Sequence, residues 1–363
     1  LIPHELPDYV ERGGRQVWRP PYEAHRAEVF GFVLACDRLA VDALLHRELV
    51  EPAGGAVDYR CAQERMVVIF AAIDRLTSGE APDSLRGYLP ELEASVWCLA
   101  SDVRAGGRLV WYLPYVFVDS GQAAASGREV YGYPKQVGFF EDGFPHGLAG
   151  AGTTTVAGMA IDPFDADEQA VRRTMISAER LPGGGRPAAG GPVAFAGLLD
   201  AIGAELEVNE TLPFGRAPGP SAAITPVDSP PPAPPAIAPP WAVRRVLDTL
   251  LGRGLVGDPN DLVDDMVDNP TLVFLKQFRD VSCPSKACYQ AIVEAPLAIH
   301  PETASYEGLD PGLFEIAIAD WASHPIATEL GVAPRTPLKP ESAFRAELDF
   351  DIQLGLEVWR APT

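Results

Sequence analysis

Along the chain, apolar positions fall in short blocks, and most of the blocks are the length of a strand. Residues 29–34 form an apolar and aromatic run that predicts a strand, and 65–73 and 94–100 predict buried strands. Aromatic and branched residues across 109–118 predict another, as do the threonines and valine within 152–161. Blocks at 271–278 and 288–295 are separated by a turn carrying Asp280, Ser282 and Pro284. The closing stretch, 344–359, alternates apolar with polar residues and predicts one half-buried strand. A helical spacing stands out at 41–49, where Leu44, Leu45 and Leu49 share a face. Many strands and few long helices predict an α+β, mainly β fold: a large antiparallel sheet or closed barrel with peripheral helices. No internal repeat is visible.

This pattern lapses in the middle of the chain. Residues 183–191 are rich in Gly, Pro and Ala, and 213–240 include the run Ser229-Pro230-Pro231-Pro232-Ala233-Pro234-Pro235. Such composition favours extended, irregular backbone over a packed core. Helical patterns occur beside it at 195–206 and 243–255. The expected organisation is therefore one domain in two parts, 1–180 and 263–363, interrupted by a Pro/Gly-rich insertion at 181–262.

Charge removes several function classes. A formal net charge of −21 over 363 residues disfavours nucleic acid and anionic membrane surfaces as partners. No apolar run approaches the roughly 20 residues of a membrane span, and the first residues do not read as a secretory signal. Cys36, Cys61, Cys98, Cys283 and Cys288 are scattered and odd in number, as expected of free thiols in a reducing cytoplasm. The P-loop, GxGxxG and GxSxG signatures are absent, and the six histidines never fall at i, i+2 or i, i+4. Neither a metal nor a cofactor is expected. The chain holds only four lysines, Lys135, Lys276, Lys286 and Lys339, so amine chemistry has few candidates. Arginine, which supplies nearly all the positive charge, stays protonated and is no nucleophile.

One segment concentrates chemistry. Lys135 lies between Tyr131 and Tyr133 on one side and Val137 and Phe139 on the other, and Pro134 fixes the backbone approach. A lysine in such a turn is ordinarily solvated; an apolar and aromatic setting in a chain that avoids lysine changes that expectation. The Gly127-Arg128-Glu129 step, the Tyr133-Pro134-Lys135 turn and the Gly138-Phe139 pair resemble the acetoacetate decarboxylase family, with the spacing between the three kept. The likeness covers most of residues 15–175 and 265–360, including Pro21-Tyr22 with Arg26, the 275–295 hairpin and the last strand.

The resemblance implies a cone-like antiparallel β-barrel holding the lysine inside, in a homo-oligomer. It also implies a reaction in which the lysine condenses with a β-keto acid substrate, the imine withdraws electrons as CO2 leaves, and a ketone is released. A free lysine has a pKa of about 10.4, so the amine needs activation by a neighbouring cation or by desolvation. Acetoacetate decarboxylase is itself the standard example of such activation. Here the residue after the lysine, a second lysine in the best-known members, is Gln136, which leaves burial as the expected route.

Other site residues follow from the resemblance position by position. Arg26 matches a carboxylate-binding arginine by its distance from Pro21-Tyr22, and Glu91 matches a pocket glutamate through Tyr88-x-x-Glu91, off by one. Glu93 would share its face. Tyr133, Arg128, Glu129 and Gln136 complete the candidate substrate-binding set, with a structural ion pair an equal reading for Arg128 and Glu129. Lys276, in an apolar strand-like setting, is the alternative nucleophile. Two other functions remain open. Lysine-imine aldolase or dehydratase chemistry on a keto acid would form the same adduct without CO2. A non-catalytic small-molecule-binding barrel would show an ordinary lysine and no adduct.

Overall fold

The computed structural model describes residues 7–11, 17–183, 270–300 and 302–362. The expected insertion at 181–262, with its helical stretches 195–206 and 243–255, lies outside the described residues beyond 183.

Local sequence explains the first elements. β1 (Tyr22–Ala35) leads into α1 (Arg38–Leu45), which Asp37 caps by accepting the backbone N–H groups of Leu39 and Ala40. One wider turn, His46–Val50, continues the helix and buries Leu49 and Val50 beside Val41, Leu44 and Leu45. Long strands follow: β2 (Tyr59–Ser78), β3 (Leu89–Asp102) and β4 (Arg108–Val118). The helix α2 (Gly121–Val130) precedes two short strands, β5 (Lys135–Val137) and β6 (Phe139–Phe140). β7 (Gly152–Ala160) and β8 (Val171–Arg180) complete the first part. The second part comprises β9 (Thr271–Arg279), β10 (Ala287–Ile299), β11 (Ser305–Leu309), β12 (Phe314–Ile318), α3 (Ile326–Leu330), β13 (Ser342–Ile352) and β14 (Leu356–Arg360).

Seven strands close a ring of hydrogen bonds in the order β13, β1, β2, β3, β4, β9, β10 and back to β13. Closure depends on two short junctions. β4 meets β9 through Trp111↔Leu272 and Tyr112↔Val273, and β10 meets β13 through Leu297↔Ile352 to Ile299↔Phe350. The expected closed, mainly β architecture is present, but the sheet is mixed rather than wholly antiparallel. The β4–β9 and β4–β5 pairs run parallel because β9 and β5 return to β4 through long connections instead of hairpins. A second sheet, β12-β8-β7-β6, packs outside the ring.

The ring strands bury both faces. Phe30, Phe32, Val68 and Phe70 point outward into a core shared with α1, the second sheet and α3. Val67, Ile69, Ala71 and Ile73 point inward to a cavity. This two-sided burial explains the unbroken apolar run within β2. The closing stretch is two strands, not one. β13 pairs with β1, β11 and β10, and the chain then turns at 353–355 so that β14 pairs with β10 alone. Gly355 occupies that corner with Val293 and Tyr131 within 3.1 Å of where a Cβ would stand, so packing rather than periodicity sets the break. Among the described residues, no helix is long and apolar enough to cross a membrane.

Candidate active site

The ring encloses a cavity of about 190 Å³, open to solvent. Strand alternation decides what enters it. Glu91 and Glu93 lie two apart on β3, opposite Ile73 and Ala71 of β2, and both project inward. On β5, Lys135 pairs with Val116 of β4, whose neighbour on β3 is Ser95, placing Lys135 on the same inner face. The amine is buried. Its Nζ lies 2.6 Å from Glu91 Oε1 and 3.6 Å from Glu93 Oε2, and 5.4 Å from the centre of the Tyr133 ring. Tyr133 is held by its own stack on Phe274, with ring centres 3.9 Å apart.

Glu93 is positioned by a short chain of donors. Trp97 Nε1 donates to Ser95 Oγ at 2.8 Å, and Ser95 Oγ donates to Glu93 Oε1 at 2.9 Å. Glu91 uses one oxygen for Lys135; its other, Oε2, is buried with no hydrogen-bond partner. An acceptor left bare in an apolar cavity is costly unless something is meant to meet it.

Electrostatics here run against the sequence-based expectation. Burial acts to strip the proton from Lys135, but the carboxylates of Glu91 and Glu93 together outweigh it and hold the ammonium above its usual range. Burial, reinforced by the Glu91 charge, pushes the Glu93 carboxyl up despite the opposing pull of Lys135. Three charges would leave the cluster at −1 in an apolar setting. A proton on Glu93, whose carboxyl burial raises, makes the cluster neutral around the 2.6 Å contact of Lys135 with Glu91. The folded surroundings of Lys135 therefore favour its ammonium form.

The helix α2 lies against the lysine stem through Gly127. A Cβ there would stand 2.7 Å from Lys135 Cδ, and the Gly127 carbonyl also accepts the N–H groups of Tyr131, Gly132 and Tyr133. Gly127→Ala is expected to shift the lysine stem and cost about 1–3 kcal/mol of stability. Displacing the amine by roughly 1 Å from a partner is expected to slow its reaction about 100-fold. Urea midpoints and the rate of reductive trapping with a ketone measure the two effects; an unchanged trapping rate would show that the stem has room to spare.

Several candidates lie elsewhere. Arg26 sits at a bulge of β1 with φ of 52°, its side chain 77% exposed and its Nε 3.2 Å from Asp74 Oδ2. The bulge turns it outward, away from the cavity. Gln136 alternates to the outer face, where its Oε1 meets His324 Nε2 at 2.7 Å. Arg128, exposed on α2, reaches the Lys135 carbonyl at 3.4 Å, and Glu129 on the same helix does not line the cavity either. Lys276 is half-buried over the Tyr289 ring at 5.3 Å, outside the cavity, with burial holding its pKa below the usual value. The structure thus brings together Lys135, Glu91, Glu93 and Tyr133. Sequence reasoning passed over Gly127 as a packing site and Ser95 and Trp97 as positioners of Glu93; the i, i+2 spacing of 91, 93, 95 and 97 was the signal available. Among the described residues, no group of His, Cys, Asp and Glu could hold a metal ion.

No protein-family model matches the sequence, and no curated protein is similar to it. Solved structures are. Acetoacetate decarboxylase from Legionella pneumophila aligns over 99% of this chain and 94% of its own, with a TM-score of 0.52 at 12% identity. A second acetoacetate decarboxylase structure aligns over 96% and 93%, with a TM-score of 0.50 at 13% identity. At this identity the likeness is one of fold: the chain has the fold of acetoacetate decarboxylase.

Proposed function

We propose, proceeding from that fold, that the chain is a lysine-imine enzyme that decarboxylates a β-keto acid, releasing CO2 and a ketone. One observation carries the reading: the amine of Lys135 is buried on the wall of an apolar cavity with Glu91 in direct hydrogen-bonding reach. Glu91 accepts a proton from the Lys135 ammonium, and the freed Nζ adds to the ketone carbon. Glu91, now an acid, returns the proton to the departing hydroxyl; water leaves and a protonated imine remains. The bond to the carboxylate carbon then breaks, its electron pair flows into the imine, and CO2 departs from an enamine. Protonation at carbon and hydrolysis release the ketone and restore the amine. The apolar lining favours the bond-breaking step, because a carboxylate is poorly solvated there and its charge disperses as CO2 forms.

A second reading keeps the imine without loss of CO2, as in aldol or dehydration chemistry. It is favoured by the lining, in which Lys135 is the one cation among the described residues and no separate group would hold a substrate carboxylate. Borohydride trapping with acetoacetate and larger keto acids, read by intact mass and peptide mapping beside a CO2 assay, tests both. The expected result is a reduced adduct on Lys135 with CO2 released. An adduct without CO2 selects the second reading. No adduct with any carbonyl compound, at a pH where the protein is folded, sinks both and leaves a binding cavity.

A further inference from the structure

The geometry points to a substrate whose carbonyl is joined to an extended apolar group, an acyl chain or ring system of roughly six carbons or more, rather than a short keto acid. This rests on the lysine-imine reading and adds the substrate class. The charged groups of the described lining, Lys135, Glu91 and Glu93, gather together beside the Tyr133 ring, and Tyr133 and Tyr306 add two hydroxyl-bearing side chains. The remaining wall is apolar, drawn from the inward positions of all seven ring strands, with Val29, Ile69, Leu113, Leu272, Leu297 and Leu348 as examples. Trp97 and Trp111 meet edge to face within it, ring centres 5.9 Å apart.

A four-carbon acid would present a carboxylate to a cavity whose one cation is already paired with Glu91 at 2.6 Å and flanked by Glu93. Arg26, the side chain best suited to hold such a carboxylate, is outside. Affinity must then come from apolar contact, which grows with each methylene buried. Room is available: the cavity measures about 190 Å³, whereas an apolar cavity of about 150 Å³ already takes up benzene. A short keto acid would fill only the polar end and leave the apolar length to be wetted or left empty, and neither state stabilises binding.

The test is a chain-length series on the full chain, using methyl ketones from butanone to undecanone and 3-oxo acids of matching length. Calorimetry or quenching of Trp97 and Trp111 fluorescence reads affinity without any covalent step, and borohydride trapping reads the imine. Affinity is expected to rise about fourfold per added methylene until the cavity is full. Ala346 lines the wall and is buried; Ala346→Phe is expected to move the optimum to shorter chains. Chain-dependent binding without an adduct would support the apolar ligand class and overturn the imine reading. Adducts with short carbonyl compounds and no gain with length would support the imine and overturn this proposal, as would a flat series in both measurements.

Discussion

Lys135→Met is expected to abolish reductive trapping and lower turnover by at least about 10⁴-fold, the scale on which removing a covalent nucleophile acts. Methionine keeps the stem and its contact with Gly127 while deleting the amine. The same change strands Glu91, whose Oε1 loses its partner at 2.6 Å and whose Oε2 already has none. Breaking one side of a buried ion pair costs about 3–5 kcal/mol when the other charge stays behind. Protonation relieves that cost, so the variant is expected to lose stability as pH rises. The sign follows from linkage. A carboxyl whose folded-state pKa is raised contributes stability at low pH that is lost as pH climbs through that value. Glu93 is already raised by burial, and losing the Lys135 charge that pulls it down moves it further up. The double variant Lys135→Met/Glu91→Gln should recover most of the stability and none of the activity. Urea midpoints between pH 5 and 9 measure this. Residual trapping in Lys135→Met would move the nucleophile to another lysine, with Lys276 the next to examine.

Glu91→Gln is expected to separate two roles that the wild-type carboxylate combines. Burial alone favours the neutral amine, and Glu91 is the larger of the two charges that reverse this. With glutamine in place, only Glu93 at 3.6 Å remains, and its own carboxyl favours the protonated form. The Lys135 pKa therefore falls, and the alkaline rise in trapping rate moves to lower pH. Steps that need a proton carried away and returned lose their carrier, a deficit of about 10²–10⁴-fold in turnover. Stability shifts in a defined window. A lysine whose folded pKa is raised stabilises the protein fully below its unfolded value near 10.4, and that contribution is lost as pH rises through the folded value. The difference in stability between wild type and Glu91→Gln should thus shrink at strongly alkaline pH. A trapping profile unmoved on the pH axis would mean that Glu91 does not hold the lysine proton.

These expectations rest on features unequally visible in the sequence. β2, β3, β4, β9 and β10 were legible because apolar blocks of strand length reflect burial, and burial is what closing the ring requires. β8 was not, since its three arginines dilute the apolar signal, and neither was α2, whose small residues carry no hydrophobic stripe. Continuous alternation across 344–359 concealed the turn between β13 and β14, which is set by contact with Val293 and Tyr131.

By itself the sequence determined the strand-rich class, the shortage of lysines, and the aromatic Tyr-Pro-Lys setting that singles out Lys135. These are local properties, encoded in residue type and near-neighbour spacing. The tertiary structure decided which side chains meet. Glu91 is 44 residues from Lys135 and reaches it through the β3–β4–β5 register. A bulge turns Arg26 out to solvent, and strand alternation turns Gln136 to the outer face, so proximity in sequence to a motif did not bring either into the cavity. The direction of the Lys135 proton equilibrium also belongs to the tertiary structure. Desolvation can be anticipated for a lysine in apolar sequence, but two carboxylates within 4 Å oppose it, and their distance is a property of the folded sheet alone.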